Sequence, residues 1–250
     1  MTNSSNPLMS PPSRIAAVVP AAGSGRRFGA ELPKQYQVLH GRTVLEHTLA
    51  LLLSVERIER VVLVVAGDDR RWRQLPLCGD ARITVVTGGE ERCHSVLNGI
   101  ASLQGDAPDW VLVHDVARPC CPRADIERLI DELTDDAVGG LLAAPVSDTL
   151  KRGGVDRRVV ETVDRSALWS ALTPQLFRFE LLRTALSDAL AHGRLVTDEA
   201  QAVELAGLSP RLIDGSRCNI KITRREDLAL AAYYLSAQFA NPDLLSEQSQ

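Results

Sequence analysis

Five short runs in this chain are almost unbroken in apolar residues: Ile15–Val19, Val61–Val65, Ile83–Val86, Trp110–His114 and Gly140–Ala144. A strand with one wet face would alternate apolar and polar residues. Continuous Val, Ile and Leu instead indicate strands covered on both sides, as in a parallel sheet between layers of helix. Helical patterns separate the runs. Thr43 can cap a helix carrying Val44, Leu45, Thr48, Leu49 and Leu52, and Gly88-Gly89 opens one with Glu90, Glu91, Arg92, Ser95, Val96 and Ile100. Further helices are expected over 124–133 and 180–191, after Thr197 or Asp198 as a cap, and from a Thr223/Glu226 capping box to about Phe239. Leu212-Ile213 and Asn219-Ile220-Lys221 read as last short strands. The pattern predicts an open, mainly parallel α/β sheet flanked by helices, with right-handed crossovers and ligands outside the carboxyl ends of its strands.

The first strand runs directly into Pro20-Ala21-Ala22-Gly23-Ser24-Gly25-Arg26-Arg27-Phe28-Gly29, with Pro33-Lys34-Gln35 just beyond. Small residues let a phosphate or base approach the backbone, and Arg and Lys supply charge where a triphosphate would sit. The loop is neither a P-loop nor a dinucleotide fingerprint, because the third glycine of the latter would fall at Phe28. Loops after Val86, His114 and Ala144 occupy the same edge of the predicted sheet, which makes that edge the candidate site.

At 250 residues, 45% apolar and 24% charged, the chain suits one large soluble domain, placed at 14–240 with flexible tails at 1–13 and 241–250. A net charge of -4 argues against nucleic acid as a partner, so the cation clusters serve small anions. The five cysteines, Cys78, Cys93, Cys120, Cys121 and Cys218, form no Cys-x-x-Cys pair, and their odd count fits a reducing cytoplasm better than a disulfide framework. The thirteen residues before Arg14 carry no charge and Pro20 interrupts the apolar run, unlike a secretory signal; no segment is long enough for a membrane span.

Residues 145–167 break the alternation. Ser147-Asp148-Thr149-Leu150-Lys151-Arg152, Gly153-Gly154 and Val159-Val160-Glu161-Thr162-Val163 read as an inserted β-hairpin arm. Such an arm has little core of its own, and a second subunit is the natural surface for it, which suggests a homodimer.

Eight motifs in order resemble one family: Ala21-Ala22-Gly23-x-Gly25-x-Arg27, Pro33-Lys34-Gln35-Tyr36, Gly88-Gly89-x-x-Arg92-x-x-Ser95-Val96, His114-Asp115-x-Ala117-Arg118-Pro119, Thr162-Val163-Asp164-Arg165, Thr173-Pro174-Gln175, Thr197-Asp198-Glu199 and Asn219-Ile220-Lys221-x-Thr223. The family is 2-C-methyl-D-erythritol 4-phosphate cytidylyltransferase, of the non-mevalonate isoprenoid pathway. Val116 stands where the family often has Ala. The resemblance implies a Rossmann-like nucleotidyltransferase fold and a transfer of CMP from CTP to the polyol phosphate with release of pyrophosphate. It implies that the substrate's own phosphate attacks the α-phosphorus, so no protein nucleophile is required. Arg27, Lys34, Arg165 and Lys221 would be the catalytic cations. Ala21, Ala22, Gly23, Ser24 and Gly25 would meet the nucleotide through backbone, and Gly89, Glu90, Arg92 and Ser95 would recognise cytosine and ribose. Asp115, Arg118, Thr149, Arg165, Thr173, Thr197 and Lys221 would bind the methylerythritol phosphate. Asp115 would orient Mg²⁺ or another divalent cation, directly or through water; its other readings are a cap or an ion pair with Arg118. His114 reads as a core residue rather than a catalyst. Thr149 and Arg165 flank the arm, so the resemblance implies that they reach the partner subunit's site. The alternatives are a ribitol-5-phosphate cytidylyltransferase, differing at the arm and near Thr173 and Thr197, and a nucleotide-binding protein without catalysis.

Overall fold

The computed structural model describes residues 13–23, 28–29 and 32–240. Strand β1 (Ile15–Pro20) leads into the cleft loop. A small hairpin of β2 (Val38–Leu39) and β3 (Arg42–Thr43) turns at His40 and Gly41, both in left-handed conformation with φ of 47° and 78°. Helix α1 (Val44–Ser54) starts with a reciprocal cap: the Glu46 amide donates to Thr43 Oγ1 at 3.1 Å and the Thr43 amide to Glu46 Oε2 at 2.9 Å. Then come β4 (Ile58–Val65), β5 (Ile83–Thr87), α2 (Arg92–Ala101), β6 (Trp110–Val113), α3 (Arg123–Leu133) and β7 (Gly139–Pro145). The arm, β8 (Leu150–Gly153) and β9 (Val159–Val163), leads to β10 (Trp169–Arg178), α4 (Phe179–Ala191), α5 (Glu199–Leu205), β11 (Arg211–Asp214) and α6 (Asp227–Ala240).

Seven strands form one sheet in the order β11-β7-β10-β6-β1-β4-β5. Every pairing is parallel except those of β10, which runs antiparallel between β6 and β7. The continuous apolar runs follow from two covered faces. Ile15, Ala17 and Val19 of β1 point to the core shared with α1 and α3, while Ala16 and Val18 point to the core shared with α2, α4 and α5. A third apolar cluster seats α6 on Phe28, Leu39, Val44, Ala117 and Ile222, beside the carboxyl ends of β1 and β6.

The expected sheet and arm are present, with three differences. β10 was not among the expected strands. Its Pro174 sits in a cis peptide where the pairing with β7 shifts between Ala171 and Gln175, the kind of irregularity that admits proline inside a sheet. Asn219-Ile220-Lys221, expected as a strand, is a loop. Its polar groups go to side chains and local turns: Arg118 donates to the Asn219 carbonyl at 2.6 Å and Asn219 Nδ2 to the Thr173 carbonyl at 2.8 Å. The expected Thr223/Glu226 capping box does not form. Asp227 Oδ2 accepts the Thr223 and Arg224 amides at 2.7 and 2.8 Å instead, and α6 begins at Asp227. The expected tails fall almost entirely outside the described residues.

Gly140 shows how closely the β11 edge is joined to the sheet. A Cβ there would stand 2.1 Å from the Arg211 carbonyl oxygen, a backbone atom that cannot rotate away. Gly140→Ala therefore forces β7 and β11 apart, and urea unfolding should show a loss of about 1–3 kcal/mol. An unchanged midpoint would mean that the two strands separate without cost.

Candidate active site

The parallel strands β1, β5 and β6 end on one edge of the sheet, and the segment before α6 folds over that edge. Together they enclose a cleft of about 410 Å³. Ala21, Ala22 and Gly23 line it after β1, Gly89, Glu90, Arg92 and Ser95 at the start of α2, Asp115 after β6, Lys34 and Gln35 from a short 3-10 turn, and Lys221 and Thr223 before α6. Ser24, Gly25 and Arg27 lie outside the described residues.

The loop walls are held by backbone acceptors. The Ala21 amide donates to the Val64 carbonyl at 2.7 Å, extending β1 by one residue, and Gln35 Nε2 donates to the Ala21 carbonyl at 3.1 Å. Gln35 therefore pins the glycine-rich loop to the turn that carries Lys34. Tyr36, at the end of that turn, donates to Asp69 Oδ2 at 2.7 Å. Burial and the Asp69 carboxylate push the phenol's pKa up, so the proton stays in that bond. Lys34 Nζ faces the cleft and donates to the Ile222 carbonyl at 2.9 Å. Ser95 Oγ accepts the Gly89 amide at 3.1 Å and fixes the turn before α2.

Asp115 is the electrostatic centre. Only 7% of it is exposed, and burial alone would favour its neutral acid. Arg92 and Lys221 outweigh burial and hold the carboxyl well below its usual range. Arg92 Nε meets Oδ1 at 2.9 Å and Lys221 Nζ meets Oδ2 at 2.6 Å. The remaining Arg92 nitrogens grip Glu199 as a fork, at 2.7 and 3.0 Å, and the two carboxylates more than offset the desolvation of its guanidinium.

Behind Asp115 lies a buried polar layer. Thr173 Oγ1 accepts the Asp115 amide at 3.0 Å and bonds His114 Nδ1 at 3.0 Å, while His114 Nε2 bonds the Arg118 carbonyl. Arg118 stands 4.0 Å from Asp115 and is bonded to the Asn219 carbonyl. Thr173 and Arg118 thus support the floor of the cleft and do not line it. His114 is wholly buried among core strands, as expected of a core residue. Thr149 and Arg165 are exposed on the arm and lie away from this chain's own cleft, and Thr197 is exposed just before α5, where its amide and hydroxyl donate to Gln201 Oε1. Cys120, Cys121 and Cys218 are buried thiols whose pKa values burial raises, Cys120 to about 12.

Two groups in the site escaped the sequence reading. Glu199 belongs to a quoted motif but was given no role, yet it is fully buried against Arg92. The signal was present: Glu199 shares the inward face of α5 with Ala202 and Val203, at helical spacing. Gln175 was also unassigned. It donates to Asp198 Oδ2 at 2.9 Å and accepts the Ala200 amide at 2.8 Å, locking the start of α5 to β10.

A family model described as IspD: 2-C-methyl-D-erythritol 4-phosphate cytidylyltransferase matches residues 15–237. A 2-C-methyl-D-erythritol 4-phosphate cytidylyltransferase of Vibrio vulnificus (strain CMCP6) is 50% identical over 226 residues, 90% of this chain and 95% of the relative. One from Pseudomonas syringae pv. tomato is 53% identical over 215 residues, 85% of this chain and 91% of its own. The crystal structure of the Francisella tularensis 2-C-methyl-D-erythritol 4-phosphate cytidylyltransferase superposes with a TM-score of 0.78 at 32% identity, covering 89% of this chain and 100% of that one. A crystal structure of 4-diphosphocytidyl-2C-methyl-D-erythritol synthase gives a TM-score of 0.78 at 38% identity, covering 90% and 100%.

The polar layer makes stability depend on pH. Burial lowers the pKa of His114 from 6.5 to about 4, so between those values the unfolded chain binds a proton that the folded protein refuses. Stability should therefore fall as pH drops through that window, by about 3 kcal/mol at its lower end. His47, also depressed by burial, acts in the same sense. Asp115 adds its own loss only below its ordinary value of 3.8. Urea unfolding at stepped pH checks this, and His114→Gln should flatten the slope between pH 6.5 and 4. An identical slope in the variant would place the titration elsewhere.

Proposed function

Because this chain belongs to the 2-C-methyl-D-erythritol 4-phosphate cytidylyltransferase family, we propose that its cleft catalyses that family's transfer by positioning two anions rather than by a protein nucleophile. The enzyme transfers CMP from CTP to 2-C-methyl-D-erythritol 4-phosphate, giving 4-diphosphocytidyl-2-C-methyl-D-erythritol and pyrophosphate. The observation that carries the mechanism is the convergence of Lys34 and Lys221 with Asp115 in one cleft at the sheet edge. Neither the ribitol-phosphate reading nor the inactive one is favoured by relatives that share the methylerythritol name.

On this reading the nucleotide lies against the backbone of Ala21–Gly23 and of Ser24 and Gly25, with Gly89, Glu90, Arg92 and Ser95 at its base and ribose end. The phosphate oxygen of the second substrate attacks the α-phosphorus of CTP, the P–O bond to the β-phosphate breaks, and the electron pair leaves on pyrophosphate. Lys34, with Arg27, meets the charge that grows on the five-coordinate phosphorus and on the leaving group. Lys221 holds the attacking phosphate. Asp115 keeps Lys221 in place and, with Thr173 and Arg118 beneath it, faces the acceptor substrate; Thr197 lies at the rim of the same region.

The donor set also fits a nucleotide-bound Mg²⁺. Among the described residues no three His, Cys, Asp or Glu side chains cluster as a metal cage. Mg²⁺ on a triphosphate needs only one or two carboxylates besides phosphate oxygens and water, and Asp115 retains lone pairs beyond its two ion pairs. Such a cation would be held by Asp115 and would neutralise triphosphate charge. Pyrophosphate release should stop in excess chelator and return with Mg²⁺; full turnover in chelator would remove the metal from the scheme.

The arm supports a dimer with shared sites. Among the described residues β8 and β9 pair only with each other, and Val155 in the turn between them and Val159 and Val160 on β9 are largely exposed. A two-stranded ribbon with bare valines gains stability by packing on another surface. A second copy would cover them and receive Thr149 and Arg165 at its cleft. No helix among the described residues is long and apolar enough to cross a membrane; the cytoplasmic placement rests on the cysteines.

Two assays test the whole. Pyrophosphate release should require CTP over the other nucleotides and methylerythritol phosphate over ribitol 5-phosphate; a higher kcat/KM with ribitol phosphate would overturn the substrate assignment. Lys34→Ala should lower kcat by about 10²–10³ with a smaller change in KM. Mixing Lys34→Ala with Arg165→Ala should restore part of the activity that each lacks alone, and no recovery after proven subunit exchange would refute shared sites.

A further inference from the structure

Four charged side chains from four separate segments form a chain into the cleft, with Arg118 beside it at 4.0 Å from Asp115. Glu199, at the first turn of α5, accepts both terminal nitrogens of Arg92 at 2.7 and 3.0 Å. Arg92, at the first turn of α2, donates its Nε to Asp115 Oδ1 at 2.9 Å. Asp115 Oδ2 then meets Lys221 Nζ at 2.6 Å. The two ends differ in exposure, 1% for the Glu199 side chain and 38% for Lys221, with Arg92 at 26% and Asp115 at 9% between them. The buried end carries the anchor and the open end carries the ammonium that faces the ligand space.

From this we propose that Glu199 is a positioning residue for the acceptor phosphate, acting on Lys221 through Arg92 and Asp115. The inference rests on the reading of Lys221 as the phosphate holder. A guanidinium gripped at both terminal nitrogens cannot rotate, so its Nε presents one fixed donor to Asp115. The backbone that carries Asp115 is held by its amide bond to Thr173 Oγ1, at 3.0 Å, and Oδ2 meets Lys221 at 2.6 Å with Arg118 farther off at 4.0 Å. Lysine on its own is a flexible point charge, and only a fixed anion beneath it sets where its ammonium stands. Glu199 has a second effect. It occupies the two Arg92 nitrogens that would otherwise be available to an incoming phosphate, so the acceptor's charge is directed to Lys221. The start of α5 is rigid enough for an anchor, because Gln175 bonds both Asp198 and the Ala200 amide on either side of Glu199.

The test is a double-mutant cycle with kcat and KM measured for 2-C-methyl-D-erythritol 4-phosphate at saturating CTP. Glu199→Gln keeps the shape and removes the charge, and it should lower kcat/KM for the polyol phosphate about tenfold. Glu199 and Lys221 do not touch, yet in the Lys221→Ala background Glu199→Gln should cost less than twofold, because the group it positions is gone. Equal losses in both backgrounds would overturn the inference while leaving the role of Lys221 intact. A Lys221→Ala enzyme with unchanged kcat/KM would overturn the reading of the site, and this inference with it. Should Glu199→Gln not fold, Glu199→Asp, which keeps the charge but shortens the reach, enters the same cycle with the same expectations. Thr43→Ala, which removes the α1 cap, is the control for a purely structural loss: its melting temperature should fall while its kcat/KM stays at the wild-type value. An effect of Glu199→Gln no larger than that of this control would also refute the positioning role.

Discussion

A carboxylate at the floor of a cleft built for phosphates is the constraint on which the rest of this structure turns. Asp115 is almost wholly removed from water, and an unpaired charge in such a place is strongly destabilising. It can exist only if cations arrive from elsewhere in the chain, and they do so from two directions. Arg92 comes from the start of α2 and Lys221 from the loop before α6. Burying Arg92 in turn demands its own counter-charge, which α5 supplies as Glu199. The ends of β5 and β6 and the starts of α5 and α6 are thus drawn to one edge of the sheet by charge compensation. The apolar cores beneath set only which edge that is.

The same compensation sorts the cations by function. Arg92 is bonded on all three nitrogens to carboxylates, so little of its charge is left for a ligand. Arg118 is buried beneath the floor and bonded to a carbonyl. Lys34 and Lys221 are different: both line the cleft, Lys34 bonded to the Ile222 carbonyl and Lys221 to Asp115. A compact ammonium that stays close to its preferred position can meet developing charge with little reorganisation, which is where electrostatic catalysis draws its strength. On the proposed mechanism, cations held by a carbonyl and a fixed carboxylate would serve two reactants that repel each other.

Much of the fold was legible because both faces of the sheet are covered. Two covered faces require unbroken apolar strands, and Val61–Val65 and Ile15–Val19 announce themselves as such. β10 was not legible, since its Pro174 breaks the local pattern and only the neighbouring β6 and β7 make a strand of it. The start of α6 was misplaced for a related reason. Thr223 and Glu226 have capping-box spacing, but Asp227 accepts the two nearest amides and wins the competition. In the site, the motif residues that come together include Ala21, Gly23, Lys34, Gly89, Ser95, Asp115 and Lys221. Spacing along the chain could not say that Thr173 and Arg118 would sit below the floor, because that depends on which way a strand end turns its side chains.

A motif reports that a residue matters to a site without saying whether it faces the ligand or another residue. Burial and partners separate the two. Thr173 has its hydroxyl committed to the Asp115 amide and to His114, so its contribution to the cleft is the orientation of the backbone that carries Asp115. Asn219 likewise ties the Thr173 carbonyl to the loop that delivers Lys221, making β10 a brace between the two halves of the floor. Thr149 and Arg165 fall in neither group. They are exposed, they do not line this chain's cleft, and they sit together at the base of a ribbon whose valines are bare. Among the described residues neither side chain makes a hydrogen bond or ion pair. On the proposed dimer the ribbon would pack against a second copy, and a site that already draws charges from several segments would receive another from its neighbour.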